Sequence, residues 1–246
     1  MPQQDLEQAE LRVLHWNVHG WRDRAGMPNA RAVIELILNN RPHAVSLVEV
    51  DESWGHPSIL SDVGRECGYS WMFGPSFEYG DGDNSGAFGN ALLAKVPVTA
   101  VHQWRVFTPA AGYDGSEPSE PRSAIVARLL LDGISCWLGS THFPRAESAA
   151  RRIAAGKIQQ LAARFDEPWL ICGDFNAPPA SCFGEHAGLR VVPEPVQPTY
   201  PASDPCEAID YCLSAAANTV SATVLRAQGS DHLPLLVVAG IGSSTA

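Results

Sequence analysis

Short apolar runs recur along the chain, and most of them stop abruptly at a polar residue. Residues 11–18 (LRVLHWNV), 43–50 (HAVSLVEV), 90–95, 123–131, 134–142 (ISCWLGSTH), 168–175 (PWLICGDF), 208–214, 220–227 and 233–239 are rich in Val, Ile, Leu and Trp. Gly, Pro, Asp or Asn bound them, which is the signature of short β-strands. Between some of these runs the apolar period lengthens to that of a helix. Residues 29–40 set Val33, Ile34, Ile37 and Leu38 along one face, and residues 146–165 do the same with Ile153, Ile158, Leu161, Ala162 and Phe165. Residues 58–67 form a weaker helical stretch. Early βα alternation, then strand-rich sequence, then one long helix predicts mixed sheets with helices outside, a single α/β domain over residues 11–240 with short tails at 1–10 and 241–246. Residues 74–89 (GPSFEYGDGDNSGAFG) and 108–121 (TPAAGYDGSEPSEP) read as irregular loops, the kind of segment that often carries function.

The polar residues that interrupt or end the strands form a pattern of their own. Asn17 ends the first run and Glu49 sits inside the second, where an unpaired carboxylate is costly to bury. His142 ends the run at 134–142. Asp174 and Asn176 end the next, two positions apart and so on one side of an extended chain. Asp210 interrupts residues 208–214, and Asp231 and His232 precede the last strand. Each has a structural explanation taken singly: a turn cap, an ion pair, a satisfied core histidine. Together, at the ends of several strands, they can converge on one end of a sheet system, as sites in such scaffolds do. Carboxylates with an Asn amide oxygen make an oxygen-rich set, suited to Mg²⁺ or Mn²⁺ rather than Zn²⁺.

Composition narrows the reading. With 246 residues and 45% hydrophobic content the chain has enough material for a sizeable core. The net charge of -10, with Lys95 and Lys157 the only lysines, weighs against tight nonspecific binding of nucleic acid, which relies on a basic face. No apolar stretch approaches the ~20 residues of a membrane span. The six cysteines include no CxxC pair, so a zinc knuckle is not expected. Cys136, Cys172 and Cys212 read as small buried residues. Cys182 and Cys206 are the one pair in loop-like sequence, but free thiols in a reducing, cytoplasmic setting are the expectation.

The ordered set WNVHG, VEVDES, GNALLAK, STHF, GDFNAPP, IDYCL and GSDHLPLLV resembles the endonuclease/exonuclease/phosphatase superfamily over residues 11–239. This superfamily includes pancreatic deoxyribonucleases, abasic-site endonucleases, neutral sphingomyelinases and inositol polyphosphate 5-phosphatases. The resemblance implies a four-layer α/β/β/α sandwich of two packed mixed sheets, with the site between them. It implies metal ligation by Glu49 and Asn17, with Asp231 completing or approaching the metal site. It implies an attacking water oriented or deprotonated by Asp174, with His232 the other candidate for the base, and Asn176 on the phosphate. It further implies a His232–Asp210 pair, a phosphate contact from His142 and one from Arg122; Asn90 is structural or makes a minor phosphate contact. Arg145 could face the site or solvent, and Phe77, Tyr79 and Phe88 could form an apolar lip or pack locally. The implied activity is Mg²⁺- or Mn²⁺-dependent hydrolysis of a phosphoester, expected to be a diester, by activated water. The acidic charge favours a small phosphoester or lipid headgroup, acted on by a monomer. A deoxyribonuclease-like activity on DNA or RNA is the alternative: His142 fits that branch, and its secreted members carry a disulfide where Cys182 and Cys206 lie. A noncatalytic binding module on the same fold is the third reading.

Overall fold

The computed structural model describes residues 8–82, 85–110, 120–145, 148–184, 189–215 and 219–242. Twelve strands and four helices follow one another as β1 (Gln8–Asn17), α1 (Ala30–Asn40), β2 (Ala44–Ser53), α2 (Ile59–Cys67), β3 (Ser70–Tyr79), β4 (Gly86–Ala94), β5 (Val98–Phe107), β6 (Arg122–Leu131), β7 (Ile134–His142), α3 (Ser148–Ala162), β8 (Trp169–Asp174), α4 (Pro179–Phe183), β9 (Leu189–Val192), β10 (Asp210–Ala215), β11 (Thr219–Val224) and β12 (Leu235–Gly242). They form two six-stranded sheets, in the orders β11-β12-β1-β2-β4-β3 and β5-β6-β7-β8-β10-β9. Each sheet has one parallel pair at its centre, β1 with β2 and β7 with β8, flanked by antiparallel neighbours. In each case a helix, α1 or α3, links the parallel strands, because a parallel pair needs a crossover. The two sheets therefore repeat one plan.

Three apolar layers hold the assembly together. Leu11, Val13, Leu92, Ile125, Leu138, Leu170, Cys172, Leu235 and Val237 pack between the sheets. Trp16, Ile37, Val45, Leu47, Leu60 and Val63 join one sheet to α1 and α2. Val126, Phe143, Ile158, Leu161, Ile171, Phe175 and Tyr211 join the other to α3 and α4. This is the expected four-layer sandwich.

Several expectations from sequence shift. Most of residues 74–89 is not loop: β3 runs to Tyr79 and β4 begins at Gly86. The stretch at 108–121 falls largely outside the described residues. β3, β5 and β9 lie at sheet edges, where one side of a strand meets solvent and Pro75 can sit without breaking a ladder. The helices bury most of their expected faces, Val33, Ile34 and Ile37 in α1 and Ile158, Leu161 and Ala162 in α3. Leu38 and Ile153 are the exceptions, 46% and 55% exposed, and α3 buries Ala150, Ala154 and Ala155 besides. All six cysteines are free. Cys182 is buried and Cys206 exposed, so the pairing that the deoxyribonuclease resemblance implied does not form.

Candidate active site

Strand register assembles the site. His142 stands opposite Asp174 across β7 and β8, and Asp174 stands opposite Asp210 across β8 and β10. Three polar side chains thus line up on adjacent strand ends. From the other sheet, Asn17 ends β1, and Glu49 sits at a bulge in β2 where the ladder shifts between Val48 and Val50. The bulge gives Glu49 a φ of +57°. An extra residue in one strand re-aims a side chain, and here it swings Glu49 toward the facing sheet.

The side chains meet within hydrogen-bond reach. Asn17 Nδ2 donates to Glu49 Oε1 at 2.9 Å and to Asp174 Oδ2 at 3.0 Å, so two carboxylates share one amide. Asp174 Oδ1 accepts the Asn176 backbone N–H at 2.9 Å, the local turn that the two-residue spacing allows. Burial, then the nearby Asp210 carboxylate, pushes the Asp174 carboxyl up to about 7. Gly173 is required here: a Cβ would stand 2.6 Å from the Thr141 carbonyl oxygen on the paired strand.

Two histidines flank Asp174 with opposite electrostatics. His232 Nδ1 is 2.8 Å from Asp210 Oδ2, and Nε2 is 3.7 Å from Asp174 Oδ2. Burial opposes charge on this ring, but the Asp210 and Asp174 carboxylates outweigh it and raise His232 to about 10. His142 goes the other way. Burial, then the Arg122 guanidinium, holds it well below its ordinary value. Arg122 Nη1 lies 2.8 Å from His142 Nδ1. A guanidinium can only donate, so the neutral ring carries its proton on Nε2. That nitrogen faces the cleft, 3.6 Å from Asp174 Oδ2 and 2.9 Å from Asn176 Nδ2. Asn176 also donates to the Phe143 carbonyl at 3.0 Å, and its backbone φ is +52°.

A cleft of about 550 Å³ opens over these groups, lined by His19, Glu49, Arg122, His142, Arg145, Asp174, Asn176, Tyr200, Glu207, Ile209, Asp231 and His232. Arg145 therefore faces the site. Two groups of side chains could hold a metal ion: Glu49, His142 and Asp174, and Asp174, Asp210 and His232. Asp231 lines the cleft but belongs to neither group; its carboxylate lies 3.8 Å from His19 Nδ1. The Glu49 and Asp174 oxygens, two carboxylates with few donors between them, fit a hard divalent cation. Asn17 turns its Nδ2 to both and its Oδ1 to the His19 backbone N–H at 3.0 Å, so as a ligand its amide would have to present the oxygen instead.

Asn90 takes the structural position that was one of its two expected roles. It is buried outside the cleft lining, and its Nδ2 donates to the Ser123 carbonyl at 2.8 Å. Its role is to tie β4 to β6 rather than to hold substrate. Phe77 and Phe88 stack on each other at 5.5 Å across β3 and β4, and Tyr79 donates to Asp51, so these rings pack locally away from the cleft. Residues that the sequence did not single out also belong to the site. Thr199 Oγ1 donates to Asp210 Oδ2 at 2.6 Å, the Tyr200 ring packs on His232 at 4.8 Å, and Glu120 pairs with Arg122 at 2.6 Å. None of them ends an apolar run, so no strand-end pattern marks them.

Known proteins with this architecture share it at low identity. The structure of an endonuclease/exonuclease/phosphatase from Beutenbergia cavernae superposes with a TM-score of 0.77 at 20% identity, over 96% of this chain and 73% of that one. A mannosyl-6-phosphatase from Bacteroides thetaiotaomicron gives 0.73 at 15%, over 92% and 98%. A truncated Caenorhabditis elegans TDP2 gives 0.69 at 16%, over 94% and 97%. No curated protein sequence matches the chain. The sequence profile of the Endonuclease/Exonuclease/phosphatase family matches residues 14–232, a span that holds every strand end described above, and the chain belongs to that family.

Proposed function

We propose that the protein hydrolyses a phosphodiester in a small phosphoester or lipid headgroup, with Mg²⁺ or Mn²⁺ as cofactor. The observation that carries this reading is the position of Asp174. Its Oδ1 is fixed by a backbone N–H, and its Oδ2 sits among Asn17, His142 and His232 at the floor of the cleft. Glu49, Asn17 and, at longer range, Asp231 would hold the cation, which when bound supplies charge neutralisation on the phosphoryl oxygens. Asp174 takes the proton of the attacking water. The water oxygen then bonds to phosphorus as the ester oxygen departs. General base catalysis of this kind contributes about 10²–10⁴-fold.

The remaining side chains handle the phosphoryl oxygens. His142 Nε2 and Asn176 Nδ2 lie 2.9 Å apart at the cleft, and both are donors in this tautomer, so an anionic phosphoryl oxygen in front of the pair would accept from both. His232, held by Asp210, presents a cationic N–H beside Asp174. Arg122 keeps His142 in the donating tautomer, and Arg145 draws the substrate anion to the mouth of the cleft. Residues 11–240 act as one catalytic domain, and the protein works as a monomer. The cleft lining is almost entirely polar, with Ile209 the single aliphatic side chain, which favours a hydrophilic group beside the scissile bond. No helix among the described residues is long and apolar enough to cross a membrane.

Turnover of bis(p-nitrophenyl) phosphate tests the reaction. Activity should need Mg²⁺ or Mn²⁺, vanish with EDTA, and vanish in Asp174→Ala and His232→Ala. Full activity in both variants, or turnover in EDTA, removes the mechanism. A panel of sugar phosphates, phospholipid headgroups and supercoiled plasmid then identifies the substrate; nicking of plasmid at physiological salt in preference to small esters would establish the nuclease instead.

A further inference from the structure

Behind the site lies a buried histidine that the reaction above does not use. His15, on β1, is fully buried between the sheets. Its Nδ1 lies 2.9 Å from Ser46 Oγ, which in turn lies 2.9 Å from Ser140 Oγ on the opposite sheet. Its Nε2 faces Asp210 Oδ1 at 3.7 Å. Both of these atoms are buried, and neither has a hydrogen-bond partner. The other oxygen of Asp210 is well supplied, taking Thr199 Oγ1 at 2.6 Å and His232 Nδ1 at 2.8 Å.

A buried carboxylate oxygen without a donor costs the full desolvation of that oxygen. The group facing Asp210 Oδ1 is the His15 ring; their 3.7 Å separation is an ion-pair contact rather than a hydrogen bond, and a proton on Nε2 makes His15 the donor that a small closure brings onto that oxygen. Ser46 Oγ donates to Ser140 Oγ, and Ser140 Oγ to the Leu47 carbonyl at 3.0 Å. Reversing these two rotatable hydroxyls, at the loss of the Leu47 bond, lets Ser46 donate to Nδ1 and leaves the ring proton on the Nε2 side. An aspartate gripped at one oxygen alone can pivot about that contact. Gripped at both, it cannot.

We propose that His15 is a positioning residue that holds the second oxygen of Asp210, so that Asp210 fixes the His232 ring with Nε2 directed at the cleft. His15 touches neither substrate nor the reacting atoms. Its kinetic consequence rests on the phosphoesterase reading, but its structural consequence does not, and the two are measured separately.

The structural measurement is proton NMR of the intact chain. The His232 Nδ1–H, hydrogen-bonded to Asp210, should give a downfield imidazole resonance protected from solvent exchange. His15→Leu keeps the approximate volume and removes the donor; His15→Gln restores an N–H near the position of Nε2. The resonance should persist in the wild type and in His15→Gln and broaden away in His15→Leu. In turnover, His15→Leu should lose about 10–100-fold in kcat, the loss typical when the partner orienting a histidine is removed, with KM nearly unchanged and with recovery in His15→Gln. A protected resonance in His15→Leu, or equal defects in both variants, would overturn the assignment. Should His15→Leu fail to fold, the decision falls to His15→Gln, whose loss of the resonance overturns it and whose retention supports it. If no phosphoester is turned over by the wild type, the resonance alone decides, and it is the reaction that has been misread.

Discussion

Glu49 can be separated into a backbone part and a side-chain part. The residue has a φ of +57° at the β2 bulge. An L-residue in the left-handed region carries a cost of about 1–2 kcal/mol, and glycine carries none. Glycine instead gives up about 0.5–1 kcal/mol to the greater freedom of the unfolded chain. Glu49→Ala and Glu49→Gly both delete the carboxylate and its bond to Asn17, so their difference isolates the backbone. Subtraction leaves Glu49→Gly more stable than Glu49→Ala by about 0.5–1 kcal/mol, against the usual rank of the two residues in a strand. For a chain of this size each kcal/mol shifts Tm by about 2–4 °C, so thermal melts in EDTA should place Glu49→Gly about 2–3 °C above Glu49→Ala. Both variants should also lose the rise in Tm that Mg²⁺ gives the wild type. If Glu49→Ala melts at or above Glu49→Gly, the bulge does not hold the strained conformation, and the account of how Glu49 reaches the site fails.

Other expectations follow from the same geometry. Adding Mg²⁺ or Mn²⁺ should raise Tm by mass action while Na⁺ at equal ionic strength does not, and apparent affinity should fall as pH drops through about 7, where Asp174 gains its proton. In the metal-free protein, histidine NMR should show His232 protonated through neutral pH and titrating near 10, with His142 neutral well below 6.5. The raised His232 value means that its charge stabilises the fold in full below about 6.5 and that this contribution is lost as pH rises through about 10. Gly173→Ala should cost about 1–3 kcal/mol by overpacking against Thr141 and lower kcat more than KM, because it displaces the strand end that carries Asp174; unchanged kinetics would contradict that placement.

The strand ends that line the cleft were legible because each breaks a strong local rule. Glu49 and Asp210 interrupt apolar runs, and Asn17, His142 and Asp174 end them, so burial of polar groups announced them before any contact was known. The edge strands were not. β3 contains Gly74 and Pro75, and β5 exposes most of its length, so neither shows the apolar run of a central strand. Asn90 ended up between the sheets because strand pairing, which sequence does not state, sets it opposite Val48 and across from Ser123. Thr199, Tyr200 and His15 were invisible for the same reason: their partners are distant in sequence. On α3 only Ile153 was placed on the wrong face, because the part of the buried face nearest it is built from Ala150, Ala154 and Ala155, whose pull on a periodicity argument is weak beside that of an isoleucine.

The repeated plan of the two sheets has a consequence for tolerance to sliding. Asn17 and Glu49 ride on one parallel pair, and His142 and Asp174 on the other, so the catalytic distances are distances between two separate slabs. The apolar layer that joins them is nondirectional and resists separation far better than lateral slip. The directional ties include Ser46 to Ser140, Ser140 to the Leu47 carbonyl, Asn90 to Ser123, Ser76 to Ser123 at 2.8 Å, and Gln103 and Arg105 to the carbonyls of Pro75 and Ser76. These act as alignment pins. Misplacement by about 1 Å can cost about 10²-fold in rate, so a pin can matter to catalysis while lying well away from the chemistry, and a substitution such as Asn90→Leu can leave the slabs joined yet out of alignment.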